Sequence, residues 1–348
     1  MRRDSTGTAF SVSGAAPILK EEKTMRQFLF CTLITTGLVL CAPVPSSAQS
    51  FPSKPIRIIV PFPPGGPLDP LARSIAPSLA QGLGQQVVVE NRPGATGTIG
   101  YNACASSPDG YTICMATTDL MILPHLMKLP FDLDRDIAPI TQLLYFRQFL
   151  IANARAPYNN FREMVEYARA NPGKLNFGSF GEGGGAHQLI AVINQQMGTD
   201  IVHVPYKGSG PALQGVLAGE VDMAVAVAPT ASPLLKAGKI KVLAVNGDTP
   251  MSVFPGIGTY REQGFGLDIR NWWGVVGSTK APKEHITRLN RDIVKVISDP
   301  VYRQKFMEAQ YYEPIGNTPE EFAQNLKTGR VVAEAIAKAL KASGYRRQ

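Results

Sequence analysis

Histidine, tryptophan and cysteine are all scarce in this chain of 348 residues, with four, two and four copies respectively. His125, His187, His203 and His285 are far apart, and no C-x-x-C, H-E-x-x-H or acidic pair supplies a ligand set. No metal and no cofactor is therefore expected. G-x-S-x-G is missing from every strand-to-helix elbow, so a hydrolase of that type lacks its nucleophile. The chain reads as a binder, not an enzyme. Charge is sparse too, at 18% of residues, with 35 Lys and Arg against 27 Asp and Glu. No basic stripe is interleaved with aromatics, which excludes a nucleic-acid partner, while the mild positive field suits small anions.

Long apolar runs are equally rare. The run Phe28 to Val44 follows Met25-Arg26-Gln27 and precedes Pro45 to Ser50. It is shorter than the roughly 20 residues of a membrane-spanning helix. Small residues at Ser46 and Ala48 complete a secretory signal peptide (25–48) cut after Ala48, which directs the protein to the periplasm. Residues 1–24 are patternless, and translation can start at Met1 or at Met25. Leu40 is too large for the residue before a lipidated Cys41, which argues against a lipoprotein. Removal of 1–48 leaves Cys104 and Cys114; a disulfide and two buried thiols both remain open.

Short β-branched runs alternate with helical patterns. Ile56–Val60 precedes a helix over Leu68–Leu83, and strands follow at Val87–Glu90 and Tyr111–Thr117. Gln142–Ala152 reads as one extended run. Further strands are expected at Lys174–Gly178, Asp200–Pro205, Val221–Val227 and Lys241–Val245, separated by helices, and the last part of the chain is helical. Thr318-Pro319-Glu320-Glu321 is a helix start. The final helix is expected to cover the first lobe. This alternation predicts α/β architecture with mostly parallel sheets flanked by helices, and its size predicts two lobes. The expected boundaries are 49–150 with 271–348 for lobe 1 and 151–270 for lobe 2.

Ligands of open parallel sheets sit where strands run into helix N-termini. Five turns qualify. In PFPPGGPLD (Pro61 to Asp69), Gly65 and Gly66 can bare main-chain N–H groups near Phe62 and Pro64, with Asp69 expected to cap the next helix. SFGEGGGAH (Ser179 to His187) offers Ser179, Gly181, Gly183, Gly184 and Gly185 before His187. That histidine is expected to bond a loop carbonyl, and Glu182 to face solvent. Thr117 and Thr118 can add hydroxyls. Tyr206 and Lys207 form a fourth candidate, although a surface lysine is the commoner outcome. Pro229 lies in the fifth, Ala228 to Thr230. Trp272 can wall a cleft or simply pack a hinge.

Several stretches together resemble the Bug-type solute-binding receptors of tripartite tricarboxylate transporters. They are PSKPIRIIVPFPPGG (Pro52 to Gly66), VVENRPG (Val88 to Gly94), PDGYT (Pro108 to Thr112), HVPYKGS (His203 to Ser209) and the TPEEF stretch (Thr318 to Phe322). The resemblance implies a two-lobed, type II-like periplasmic binding protein fold, monomeric, that closes over a small carboxylate and delivers it to membrane transporter subunits. It implies that loops Phe62 to Asp69 and Ser179 to His187 form a pincer of main-chain donors, with Thr117 and Thr118 close by. Two departures stand out. Gly184-Gly185-Ala186 lacks the family's usual hydroxyl, which shifts that role to Ser179. Ala226 to Pro229 lacks the usual Asp or Asn, which implies a ligand with an apolar or aromatic body, or simply a smaller one. A sensor co-receptor and a hydrolase with a glycine-rich oxyanion hole are the alternative functions.

Overall fold

The computed structural model describes residues 51–266 and 270–344, together with Ala9 and Ser11. The expected signal peptide and cleavage point, and Cys31 and Cys41, lie outside the described residues. Strand β1 (Ile56–Val60) is β-branched and buried at four of its five positions, as expected of a strand covered on both faces. Helix α1 (Leu68–Leu83) places Leu68, Leu71, Ala72, Ile75 and Leu79 on one inward stripe and ends at Gly84 in the left-handed region, φ 68°. Strand β2 (Val87–Asn91), helix α2 (Thr98–Ala105), strand β3 (Thr112–Thr117) and strand β4 (Ile137–Phe146) follow. The chain then enters a second sheet with β5 (Gln148–Asn153), α3 (Phe161–Ala170), β6 (Asn176–Ser179), α4 (Gly185–Met197) and β7 (Val202–Pro205). It continues through α5 (Ser209–Ala218), β8 (Met223–Val227), α6 (Ala228–Lys236) and β9 (Ile240–Val245). Strand β10 (Asn271–Ser278), helix α7 (Lys283–Ser298), strand β11 (Tyr312–Pro314) and helix α8 (Pro319–Ala342) complete the chain.

The result is two α/β lobes whose sheets run β11-β4-β10-β3-β1-β2 and β7-β6-β8-β5-β9. Both sheets are mixed, where the sequence suggested mostly parallel ones. β1 is parallel to β2 and β3, but β10 is antiparallel to both β3 and β4. In the second sheet β6 is parallel to β7 and β8, and β5 is antiparallel to β8 and β9. The physical reason is the crossing. β5 and β10 are the strands that carry the chain from one sheet into the other, and each enters against the direction of its neighbours.

The extended run Gln142–Ala152 is likewise divided, since β4 belongs to the first sheet and β5 to the second. Arg147 stands at the break. Its guanidinium pairs with Glu313 at 2.6 Å and donates to the Asn246 carbonyl at 2.6 Å. Asn246 accepts from the Gln148 N–H, and Asn271 donates to the Gln148 side chain. Helix α8 also departs from expectation. Its Thr318/Glu321 capping box is present, but the helix serves both lobes. Phe322, Leu326, Ala333 and Ala337 bury against the first sheet, and Ala339 joins the core of the second. At 24 residues it is about 36 Å long, enough to reach across.

Cys104 of α2 and Cys114 of β3 are joined by a disulfide across a sequence separation of ten. Both are fully buried. Closing a loop of that size removes denatured-state entropy worth about 2–3 kcal/mol. The Cys104→Ser/Cys114→Ser double variant is expected to lose that much in urea unfolding. An unchanged midpoint and slope would contradict it.

Candidate functional site

The loops after β1, β3, β6 and β8 all leave the carboxyl ends of parallel strands, the side where such sheets hold ligands. The loop after β1 is braced from three directions. Gly100 of α2 has no room for a side chain, because a Cβ there would meet Pro61 Cα at 2.9 Å and the Arg92 carbonyl at 3.1 Å. Asn91 donates to the Phe62 carbonyl at 3.2 Å, and Arg73 donates to Asn91. Phe62 packs on the first core, and Pro64 is exposed.

Asp69 does not cap α1. It lies inside the first turn, reaches back to accept from the Gly65 N–H at 3.2 Å, and pairs with Arg73 at 3.0 Å, one helical turn on. These donors hold its carboxyl below the usual carboxylate range against the opposing effect of burial. Gly65, at φ 81°, therefore spends its N–H on the protein, so its role is the turn itself. The Gly66 N–H is not used by another described residue.

The loop after β6 is built differently. Ser179 is fully buried, and its hydroxyl lies 3.1 Å from the Gly181 carbonyl and 2.6 Å from His203 Nε2. The hydroxyl donor assigned to Ser179 from sequence is thus engaged inside the protein. A buried hydroxyl also cannot attack a substrate, which weighs against the hydrolase reading. His187 Nδ1 accepts from the Gly183 N–H at 3.1 Å, where a bond to a carbonyl was expected. Gly184 is the N-cap of α4 and brings no side-chain cap, so the first-turn N–H groups at Gly185 and Ala186 receive no side-chain acceptor from it as a helix of 13 residues begins. Gly181, at φ 141°, shapes the turn before it.

Opposite this helix start stands Asp119, in the turn after β3, which sequence reasoning passed over. Gln188 of α4 donates to its carboxylate at 3.4 Å, and a Cβ on Gly185 would sit 3.5 Å from Oδ1. Desolvation outweighs that hydrogen bond and pushes the Asp119 carboxyl up to about 6. Thr117 Oγ1 is buried without a hydrogen-bond partner among the described residues. Thr118 differs, because its hydroxyl is tied to the Trp272 backbone, 2.8 Å from the N–H and 3.3 Å from the carbonyl. Trp272 is buried edge-on against Phe322 and packs the crossing strand. Tyr206 leans on Gly178 and Gly215, while Lys207 is exposed. Pro229 is half-buried in the first turn of α6, and its neighbours Ala226 and Ala228 are buried in the core of the second lobe.

His187 and His203 look dispersed in sequence, yet the β6–α4–β7 crossover stacks their rings 3.6 Å apart. The Glu182 carboxylate is exposed, as expected, but lies 3.3 Å from His187 Nδ1 and 3.8 Å from His203 Nδ1. Spacing could not show this, since the contact depends on two parallel strands being neighbours. Burial pushes both imidazoles down, His187 to about 4, so both are neutral near pH 7. No helix among the described residues is long and apolar enough to cross a membrane.

Comparison with known proteins gives matches of one kind. The family model described as tripartite tricarboxylate transporter family receptor matches residues 71–340. A UPF0065 protein of Bordetella pertussis is 39% identical over 243 residues, covering 69% of this chain and 75% of its own length. The solved periplasmic binding protein BugD superposes with a TM-score of 0.72 at 30% identity, over 86% of this chain and 100% of its own. An R. palustris protein solved with adipate gives a TM-score of 0.74 at 28% identity, over 84% and 98%.

Asp119 generates a pH-dependent expectation. A carboxyl raised to about 6 binds its proton more tightly in the folded protein than in the unfolded chain. Its contribution to stability is full below about pH 4 and is lost as pH rises through about 6. Asp119→Asn is therefore expected to be more stable than the parent at pH 7.5, by about 1–3 kcal/mol. The difference should vanish near pH 4. Urea unfolding at both pH values reads it, and equal stability at pH 7.5 would contradict it.

Proposed function

We propose that this chain, which belongs to the tripartite tricarboxylate transporter receptor family, captures a small organic carboxylate by closure of its two lobes and hands it to membrane transporter subunits. Members of the family are periplasmic solute-binding proteins. The observation that carries the finer reading is the start of α4, which has no side-chain cap and has Gly185 beside Asp119 of lobe 1. Backbone dipoles hold an anion without burying a full counter-charge, which limits desolvation cost and permits release. The Gly66 N–H, on the loop after β1, supplies the opposing jaw. The hinge lies where β4 passes into β5 at Arg147 and where the chain returns into β10, so lobe 1 comprises 49–150 with 271–348 and lobe 2 comprises 151–270.

Asp119 meets an incoming carboxylate as a proton-sharing partner, because two like charges at short range favour one shared proton. Affinity for a monocarboxylate is therefore expected to be higher at pH 6 than at pH 8. Isothermal titration at the two values tests this, and tighter binding at pH 8 would contradict it. The apolar Ala226 to Pro229 wall favours a ligand with an aromatic or apolar body. The adipate bound by the R. palustris relative is aliphatic and has a carboxylate at each end. A thermal-shift screen should rank aromatic carboxylates above citrate and malate, and the reverse ranking would overturn the wall argument.

Gly185 offers a sharper test of the donors. It occupies the first helical position, where proline fits without breaking a helix bond, and the extended Gly184 before it, at ψ 169°, is compatible with a following proline. Gly185→Ala keeps the N–H, and its Cβ meets Asp119 in ordinary van der Waals contact. Gly185→Pro removes the donor. The alanine variant should bind the best carboxylate of the screen like the parent, and the proline variant at least about 10-fold more weakly. Equal affinity of the two variants would remove α4 from the site.

A further inference from the structure

We infer that Glu182, His187 and His203 form a binding site for a divalent transition-metal ion of the zinc class. One carboxylate oxygen and two imidazole nitrogens here lie within 4.8 Å of one another. Zinc bonds of 2.0–2.2 Å in a tetrahedral set place ligand atoms about 3.3 Å apart. Glu182 Oε2 stands 3.3 Å from His187 Nδ1 and Oε1 stands 3.8 Å from His203 Nδ1, so each carboxylate oxygen has one imidazole nitrogen near that edge length.

The hydrogen bonds explain why a cation belongs there. The Gly183 N–H donates to His187 Nδ1, so that nitrogen carries a lone pair and no proton. A carboxylate oxygen of Glu182 stands 3.3 Å from the same nitrogen, so a cation that replaces the Gly183 donation meets both acceptors at once. His203 Nε2 lies 2.6 Å from the Ser179 hydroxyl, which ties the ring through its second nitrogen and leaves Nδ1 on the side of Glu182. A ligating imidazole held through its second nitrogen is the usual outer-shell arrangement of metal sites.

Two nitrogens and one carboxylate suit zinc, cobalt, nickel or copper and do not suit magnesium or calcium. The three side chains line a cavity of about 660 Å³. The stacked rings must tilt toward each other to converge on one ion, and metal capture replaces the Gly183 donation. The site therefore clamps the loop after β6 through the middle of its glycine run. This inference stands on side chains and does not depend on the carboxylate reading.

The test uses tag-free protein stripped with a chelator and titrated with Zn2+ by calorimetry and with Co2+ by visible absorption. One equivalent of Zn2+ should bind, and Co2+ should give the ligand-field bands of a four-coordinate site. Glu182→Gln is exposed enough to leave folding intact and should weaken Zn2+ binding by at least about 10-fold, with loss of the cobalt bands. His203→Gln should do the same. Binding of much less than one equivalent, or an affinity unchanged in both variants, would overturn the site.

Discussion

Backbone N–H groups left without a side-chain cap at the start of α4 are the feature on which the rest of this structure depends. A helix end with free donors is stable only where water or an anion can reach it. That requirement places the loop after β6 at the carboxyl edge of its sheet, facing the loops of the first lobe. The parallel units β1–β2, β1–β3, β6–β7 and β6–β8 put four loops on such edges. The antiparallel strands β5 and β10 carry the chain between the sheets.

The surrounding side chains serve that arrangement in different ways. Asp69, Arg73 and Asn91 brace the loop after β1, and their bonds are made within the lobe. Ser179, Gly181 and His203 lock the base of the loop after β6. Asp119 is the exception. Its carboxyl is raised by burial and held by one long hydrogen bond beside the helix start. Groups of that kind concentrate at functional sites because folding alone does not favour them.

Much of the fold was legible because β-branched runs and glycine or proline turns report local backbone preference directly. β1, α1 and the start of α8 lie where those signals put them. What escaped depends on partners distant in sequence. Gln142–Ala152 looked like one strand because nothing local marks the passage from one sheet to another. Asp69 looked like a cap because sequence shows its position but not the direction its carboxylate takes. The His187–His203 stack depends on β6 and β7 being neighbours, and Asp119 gains its meaning only beside Gly185. The backbone donors of the loop after β6 were visible as glycines. The engagement of the Ser179 hydroxyl was not, since His203 lies 24 residues away.

The most direct measurement follows the glycine amides themselves. Protein labelled with 15N-glycine is titrated with the tightest carboxylate, and each amide is assigned by single-site substitution. The account predicts downfield shifts for Gly66 and Gly185, with Gly65 little changed because its N–H already serves Asp69. Saturable binding with those two amides unmoved would contradict the claim that main-chain donors at these two loops hold the anion.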